Sequence, residues 1–389
     1  MSTLQEPAGS TAVGTRGASG TPPSGPTHGG KKTSRRTKML VGVIGLVVVI
    51  AALSIGFQLL YLNPPPKILQ VPIGLIGGVG GAMLLFYFLN MLVESLPGDW
   101  SRRIMPYAFL LPAFGLIGLL LIYPTIQTIV YSFANSDSTA LVGLQNFKDV
   151  FSDPDMQTTL VNNLLWLAIV PALTVLLGLA VAQLSDKLSP RWEKISKSII
   201  FLPMAISFVG AATIWRFVYA SPDGDNQIGL LNAIVTKLGF DDVAWLRFTD
   251  YNVNDMLLMV ILIWLQTGFA MVLLSAAIKS VPEETLEAAR IDGASEWQIF
   301  WQVVVPQIMG TVITVFITVL ILVLKVFDVV YVTTGGLYDT NVIGLRFFQE
   351  IFLNGENGLA SAIVVILMIA ILPVLVYQVR HFRAEESGR

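Results

Sequence analysis

Long apolar runs separated by short polar connections dominate the chain from about residue 39 onwards. Because an α-helix rises ~1.5 Å per residue, about 20 residues are needed to cross the ~30 Å hydrocarbon core of a bilayer. By that measure the pattern predicts eight membrane-spanning helices. They cover residues 39–62, 71–93, 106–133, 162–185, 197–220, 256–279, 305–328 and 358–380. We therefore expect an all-α polytopic membrane protein.

The first 38 residues have a different composition, rich in Gly, Ser, Thr and Pro and ending in a cluster of Lys and Arg. Such a stretch cannot bury enough apolar surface to offset its ordering entropy, so residues 1–38 are expected to be a disordered tail. Residues 25–32 read GPTHGGKK, which approaches a phosphate-binding loop. The final Ser/Thr and a preceding strand are missing, so no nucleotide site is predicted there. The first apolar run follows a long tail and lacks a cleavage site, which favours a membrane anchor over a signal peptide.

The distribution of positive charge predicts the orientation of the spans. With the N-terminus inside, 17 of the 24 Lys and Arg residues fall on the cytoplasmic side and six outside, while Arg216 lies within a span. This bias obeys the positive-inside rule. The connection 220–255, placed outside, is acidic, with Asp223, Asp225, Asp241, Asp242, Asp250 and Asp255. We expect an inner-membrane protein with both termini in the cytoplasm.

Five prolines singled out within the predicted spans allow two interpretations. They are Pro112, Pro124, Pro171, Pro203 and Pro373. Each could simply kink a helix for packing. Breaks in lipid are also tolerated where neighbouring helices or a water-lined cavity satisfy the freed backbone groups, so together the prolines favour a protein with an internal cavity.

The amino-acid composition excludes most kinds of catalytic site. The chain is 54% hydrophobic and 13% charged, whereas soluble domains are about 25% charged. It has no cysteine, which excludes disulfides, thiolate metal sites and cysteine nucleophiles. Its two histidines, His28 and His381, lie outside the apolar runs. We therefore predict no catalytic site, no metal site and no cofactor in this chain, and no nucleic-acid partner.

The connection between the sixth and seventh spans, residues 280–306, carries two helix-start signals. Ser280 with Glu283 fits a capping box, and Ser295 with Gln298 repeats the pattern. The first helix should end at Asp292-Gly293, because glycine adopts the left-handed conformation that closes a helix. This predicts a helix-turn-helix at the cytoplasmic membrane surface.

Within this connection, Glu287 offers a charge to a cationic partner, and Ala288 with Ala289 offers a flat face that another protein can approach closely. Gly293 permits the sharp reversal of the chain. The residues therefore suggest an element that transmits force to or from a partner. An ordinary amphipathic interfacial helix covering the end of the bundle is the alternative that the residues alone leave open.

The spacing of these residues resembles the cytoplasmic coupling loop of type I ABC importer permeases. The pattern of that family is Glu-Ala-Ala, three residues, Gly, nine residues, Ile, one residue, Leu-Pro. The matching positions are Glu287, Ala288, Ala289, Gly293, Val303, Val305 and Pro306, with Asp292 before the glycine as in the common form of the motif. Valines replace the Ile and Leu of the pattern. We call residues 280–306 the coupling loop.

A second resemblance concerns the cargo. Residues 325–336 read KVFDVVYVTTGG, which is similar to the end of the penultimate span in carbohydrate permeases of this class. The usual Gly-Pro that follows is replaced by Leu337-Tyr338. The local sequence looks most like that of alpha-glucoside permeases. Two extra N-terminal spans resemble those of the larger maltose permease subunit, although the connection 134–161 is much shorter here.

The resemblance implies an assembly and a division of the chain. Residues 39–103 would form two additional helices, and residues 104–385 the six-helix importer core. The family pairs such a chain with a second permease subunit, two copies of an ATP-binding subunit and an extracytoplasmic sugar-binding protein. ATP and Mg would be bound by the ATPase subunits. This chain would then move a sugar, surrounded by membrane lipid, by alternating access.

Sugar sites combine aromatic faces with a few hydrogen-bonding groups. The candidates in the fifth, sixth and seventh spans are Ser207, Trp215, Trp264, Leu265, Gln266, Phe269, Thr318 and Asp328. Some allow other interpretations. Gln266 could form an interhelical hydrogen bond, Lys325 and Asp328 could pair with each other, and Arg216 could extend to the outer surface.

The alternative function is a secondary transporter driven by an ion gradient. Such proteins usually carry charged or discontinuous mid-membrane sites and internal repeats. No Asp or Glu falls at the middle of a predicted span and no repeat is evident. The sequence leaves the identity of the sugar open.

Overall fold

The structure is a computed structural model that describes residues 34–221 and 229–387. The predicted tail, apart from its last five residues, lies outside these ranges, as does the GPTHGGKK segment. Within the described residues every regular element is a helix, and the only β-type pairing is an isolated bridge between Ala134 and Leu141. The predicted all-α class is confirmed. The chain divides into two compact units, residues 1–118 and 119–389, which are described separately.

The first unit contains three long helices. They are α1 (Arg35–Leu62), α2 (Lys67–Glu94) and α3 (Asp99–Ile117). Gly42 of α1 faces Leu92 of α2, and Gly81 of α2 faces Leu53 of α1, so the two helices run antiparallel. Small residues at such contacts let helix backbones approach closely, which is how helices associate in lipid. Most of the large apolar side chains of these helices are exposed, as expected for surfaces that face lipid.

The second unit holds fourteen further α-helices in its described residues. They are α4 (Tyr123–Tyr131), α5 (Gln145–Ser152), α6 (Pro154–Asp186), α7 (Pro190–Phe201), α8 (Phe208–Val218), α9 (Leu230–Lys237), α10 (Val253–Lys279), α11 (Glu283–Ile291), α12 (Glu296–Ile299), α13 (Val305–Gln307), α14 (Met309–Leu324), α15 (Asp328–Thr333), α16 (Ile343–Gln349) and α17 (Asn357–Ser387). Short 3-10 and π-helical turns join some of them. A 3-10 turn (Leu202–Ala205) precedes α8, and a π turn (Phe300–Val304) follows α12.

Six helical stretches in the described part of the chain are long and apolar enough to cross a membrane. They are Arg35–Leu62, Lys67–Glu94, Asp99–Tyr131, Pro154–Asp186, Asp250–Lys279 and Asn357–Arg380. Two further stretches are bent pairs, Pro190–Ala205 with Phe208–Val218 at 101°, and Glu296–Gln307 with Met309–Leu324 at 73°. If each bent pair is one span, the count is eight, as the sequence predicts.

The predicted spans at 197–220 and 305–328 are not continuous helices. Pro203 lies in the 3-10 turn and Ile206 is extended, so the fifth span breaks before α8. In the seventh, Ile308 leaves helical geometry after Pro306, and α14 already ends at Leu324. Proline lacks an N–H and clashes with the preceding turn, which explains breaks at such positions. Three of the other singled-out prolines, Pro112, Pro171 and Pro373, lie inside continuous helices.

Helices α6 and α10 form the centre of the second unit. They pack closely at Gly178, where an added Cβ would lie 2.6 Å from the Cβ of Ala270. One buried apolar cluster surrounds the N-terminal half of α10, which includes Leu258 and Leu262. A second cluster around Leu274 includes Ile299, Phe300 and Val304, and it fixes the coupling loop against α6 and α10.

Candidate functional site

A cavity of about 540 Å³ lies between the broken fifth span, the middle of α10 and the end of α14. Six of the eight predicted sugar-contacting residues line it. They are Ser207, Leu265, Gln266, Phe269, Thr318 and Asp328. Some of these residues are more than 100 positions apart in the chain, yet the fold places all six around one cavity. Their role in binding stays a prediction.

The break between α7 and α8 forms one wall of this cavity. Phe201 ends α7, and Ile206 is extended. Ser207 then caps α8, where its Oγ accepts a hydrogen bond from the Gly210 N–H at 3.1 Å. Non-helical backbone at membrane depth is tolerated where it lines a cavity or is buried in protein. The break and the cavity are therefore parts of one feature.

Gly268 allows α7 to reach the cavity. An added Cβ at Gly268 would lie 2.5 Å from the carbonyl oxygen of Ile200 and 2.8 Å from the Cα of Phe201. Both neighbouring atoms are backbone, so a side chain could be accommodated only by moving α7 away from α10. Sequence reasoning missed this residue, because a glycine within an apolar helix gives no sign of what packs against it.

Gln266 lies at the centre of α10 and is 7% exposed. Its amide has no hydrogen-bond partner among the residues that the structure describes, so the interhelical hydrogen bond considered from the sequence is not formed. A buried amide without a partner is costly. Because the side chain lines the cavity, water or a ligand can satisfy it there.

Lys325 and Asp328 do not pair with each other within the described part of the chain. The pairing considered from the sequence requires a continuous helix, but α14 ends at Leu324 and α15 begins at Asp328. Both residues line a second cavity of about 390 Å³, which shares Phe208, Thr318 and Asp328 with the first. The two cavities are therefore adjacent.

Trp215 and Trp264 are not brought to the cavity, contrary to the sequence prediction. They contact each other edge to face with ring centroids 5.8 Å apart, and Trp215 also contacts Tyr219. Both pack against the apolar cluster around Leu262. Trp264 precedes Gln266 by two residues, so these two side chains point about 200° apart around α10. Arg216 is exposed, and its guanidinium donates to the Val332 carbonyl at 3.2 Å.

The coupling loop forms the expected helix-turn-helix. Helix α11 ends at Ile291, and Gly293 adopts a left-handed conformation with φ of 83°. The Ala294 N–H donates to the Ala289 carbonyl at 3.1 Å, which closes the helix end. The capping box of Ser295 and Gln298 is present at the start of α12. Both predictions, the stop at glycine and the second start, are confirmed.

The first predicted capping box was wrong. Pro282 occupies the cap position of α11, and no side chain caps that helix. Ser280 instead donates its hydroxyl back to the Ala277 carbonyl at 2.7 Å, because it still belongs to the last turn of α10. The two short helices are joined by an ion pair of Arg290 with Glu296 at 2.9 Å, and this hydrogen bond raises the pKa of Arg290.

The exposed face of the coupling loop contains Glu287, Ala288, Asp292 and Gly293. Ala289 instead packs inward with Leu286 against the cluster around Leu274, so the flat face expected of the two alanines is provided by Ala288 alone. Two large apolar residues that had no assigned role extend the exposed face. Ile291 is 86% exposed and Trp297 is 71% exposed.

Long apolar helices and two bent pairs around a cavity are features of a multi-pass membrane protein. Residues 174–383 match the family described as "Binding-protein-dependent transport system inner membrane component". The chain belongs to this family, and the predicted resemblance to ABC importer permeases is confirmed. It is therefore a multi-pass protein of the inner membrane.

Individual relatives give more detail. The chain is 50% identical over 282 residues to the osmoprotective compounds uptake permease protein GgtC of Synechocystis sp., covering 72% of this chain and 100% of the relative. It is 46% identical over 290 residues to the alpha-glucoside transport system permease protein AglF of Rhizobium meliloti, covering 74% and 85%. A bacterial alginate ABC transporter shares the fold, with a TM-score of 0.63 at 23% identity over 73% of this chain and 97% of that one.

Proposed function

We propose that this chain is the permease subunit of an ATP-driven importer whose cargo is a neutral sugar of the alpha-glucoside kind. The observation that carries the cargo class is the Gln266 amide, which has no partner among the described residues and lies beside Phe269 in the cavity. An amide next to an aromatic face suits a hydroxyl-rich ring, and about 540 Å³ is within the usual range for small-molecule sites. The named function of the alpha-glucoside relative supports the same class.

The assembly that we propose has four other subunits. A second permease subunit would complete the pathway, and two copies of an ATP-binding subunit would bind the coupling loops of the two permeases. An extracytoplasmic sugar-binding protein would deliver the cargo. In this chain Glu287, Ala288, Asp292 and Gly293 would contact the ATP-binding subunit, because they are exposed on the coupling loop. ATP and Mg would be bound by that subunit.

Transport would proceed by alternating access. ATP binding would draw the two ATP-binding subunits together and displace the coupling loops. The spans would then open the cavity to one side of the membrane and close it to the other. The coupling loop and both termini would lie in the cytoplasm, in keeping with the distribution of Lys and Arg. The chain itself would carry out no covalent chemistry.

The test is uptake by the complete transporter in proteoliposomes, with the binding protein outside and ATP inside. Radiolabelled trehalose, maltose and sucrose would be compared with radiolabelled glutamate. We expect ATP-dependent accumulation of at least one of the three sugars and none of the amino acid. Glutamate uptake without sugar uptake would overturn the cargo class. Uptake by this chain alone, driven by a proton gradient, would overturn the ATP-driven mechanism.

A further inference from the structure

Four charged side chains of alternating sign meet where α6, α7 and α10 lie side by side. The Lys197 Nζ lies 2.8 Å from Asp186 Oδ1 and 2.5 Å from Glu193 Oε1. Lys279 pairs with Glu193 and lies 3.6 Å from Asp186 Oδ1. The Ser275 hydroxyl accepts from Lys197 and donates to Asp186 at 3.1 Å. We call Asp186, Glu193, Lys197 and Lys279 the four-charge cluster.

This cluster is more than a set of surface ion pairs. The side chains of Asp186, Glu193 and Lys197 are only 16%, 17% and 18% exposed, and only Lys279 is half-exposed. Exposed pairs contribute little, because water screens them. Removing one partner of a partly desolvated ion pair is costly, because the remaining charge is left without compensation. The four-charge cluster therefore links three helices through charges that depend on one another.

The cluster stands between the coupling loop and the cavity. Lys279 is the last residue of α10, and α11 begins four residues later at Glu283. Glu193 and Lys197 lie on α7, which leads through Phe201 into the break that lines the cavity. Helix α7 is thus held to α10 at two places, by the cluster near its start and by the close packing on Gly268 at its end.

We propose that the four-charge cluster transmits movement of the coupling loop to the broken helix at the cavity. Its members are positioning residues, since none of them lines the cavity. The proposal rests on the proposed docking of the coupling loop to an ATP-binding subunit. Displacement of α11 moves the end of α10, the cluster carries α7 with it, and the break at Ser207 changes shape. Without the cluster, ATP hydrolysis continues but the cavity no longer responds.

The test uses a reporter that needs no sugar. The chain has no cysteine, so Val209→Cys places a single thiol in the wall of the cavity, in a complete transporter whose other subunits are also cysteine-free. The rate of its reaction with a water-soluble maleimide is measured with and without ATP plus vanadate. We expect trapping to change this rate by about fivefold or more, the lower end of typical conformational coupling.

The cluster variant combines Lys279→Gln with Glu193→Gln in the reporter background. We expect it to retain at least about half of the ATP hydrolysis while the maleimide rate changes by less than about twofold on trapping, because the coupling free energy is lost. The matched control is Lys194→Gln on the same helix, an exposed lysine that forms no ion pair among the described residues. The control and the conservative variant Lys279→Arg should both keep the full response.

The outcomes separate this inference from the proposed function. A full response in the cluster variant would show that the cluster does not transmit movement. Loss of assembly and of ATP hydrolysis together, in both the cluster variant and Lys279→Arg, would make the cluster purely structural and overturn the proposal. If the reporter in the otherwise unchanged chain fails to respond to ATP plus vanadate, the docking of the coupling loop is wrong and both proposals fall.

Discussion

At the scale of single residues, the polar groups of the cavity differ in how much of their hydrogen-bonding capacity the fold already uses. The Ser207 hydroxyl already accepts from the Gly210 N–H, and the Thr318 hydroxyl donates to the Thr314 carbonyl at 2.7 Å. The Gln266 amide has no partner among the described residues. The Gln266 amide can therefore form all of its hydrogen bonds with a ligand, whereas the Ser207 and Thr318 hydroxyls can form only part of theirs.

We expect Gln266→Leu to raise the KM for sugar uptake by about thirtyfold, because two hydrogen bonds of ~1 kcal/mol each are lost from a site that still forms. The measurement is initial uptake as a function of the concentration of sugar-loaded binding protein. Thr267→Ala is the matched control, since the Thr267 hydroxyl donates to the Ile263 carbonyl within α10 and does not line the cavity. Equal KM values for the two variants would show that Gln266 does not contact the sugar.

Glu287→Lys tests the exposed face of the coupling loop. The Glu287 side chain forms no ion pair within the described residues, so reversing its charge should leave folding and membrane insertion unchanged. We expect the variant permease to lose copurification with the ATP-binding subunit and to lose uptake. Glu356→Lys, at an exposed acid just before α17, is the control and should retain both. A Glu287→Lys complex that assembles and transports normally would contradict the assigned role.

At the scale of elements, the broken fifth span depends on the close packing of α7 against Gly268. The end of α7 lies directly against Gly268, so any side chain there would separate the two helices. The 101° bend then could not hold its position beside α10. The cavity is thus shaped by backbone contacts as much as by its lining side chains.

Gly268→Ala should lower the stability of the detergent-solubilised permease, at a cost of about 1–3 kcal/mol for an overpacked methyl group. The measurement is the apparent melting temperature together with uptake, and both should fall. Gly115→Ala is the control, because nothing lies within 4 Å of an added Cβ there. Its melting temperature should not decrease, since alanine favours helix over glycine. Unchanged stability of Gly268→Ala would mean that α7 can shift freely.

The same elements show what the sequence can and cannot predict. Long apolar runs revealed the spans, because the thickness of the bilayer sets their length. The sequence left open which prolines break a span and which only kink it, since Pro203 in the break and Pro171 inside a continuous helix look the same in the sequence. The four-charge cluster was missed. Asp186 and Ser275 are 89 positions apart, and only the crossing of α6 and α10 brings them together.

The sequence predicted which residues line the cavity better than it predicted what their side chains contact. Gln266 and Phe269 were singled out because sugar sites combine hydrogen-bonding groups with aromatic faces, and both lie in the sixth span. Which way each side chain points depends on helix rotation. Trp264 was misplaced for that reason, and Ala289 likewise turned out to face the core.

At the scale of the whole molecule, the expected orientation depends on the distribution of charge alone. It can be tested directly because the chain has no cysteine. We expect a thiol introduced by Asp137→Cys, in the exposed connection before α5, to react with a membrane-impermeant maleimide in intact spheroplasts. A thiol introduced by Glu284→Cys in α11 should react only after permeabilisation. The reverse pattern would place the coupling loop outside and remove the basis of the proposed function.

The fifth span also has a consequence for biogenesis. Its two halves contain 12 and 11 residues, which at ~1.5 Å per residue is little more than half of the hydrocarbon thickness for each. Neither half can settle across the bilayer by itself. We therefore expect the pair to remain unanchored during synthesis until α10 emerges from the ribosome and provides the groove at Gly268. Nascent chains that stop short of α10 should leave this region exposed to membrane quality-control proteases.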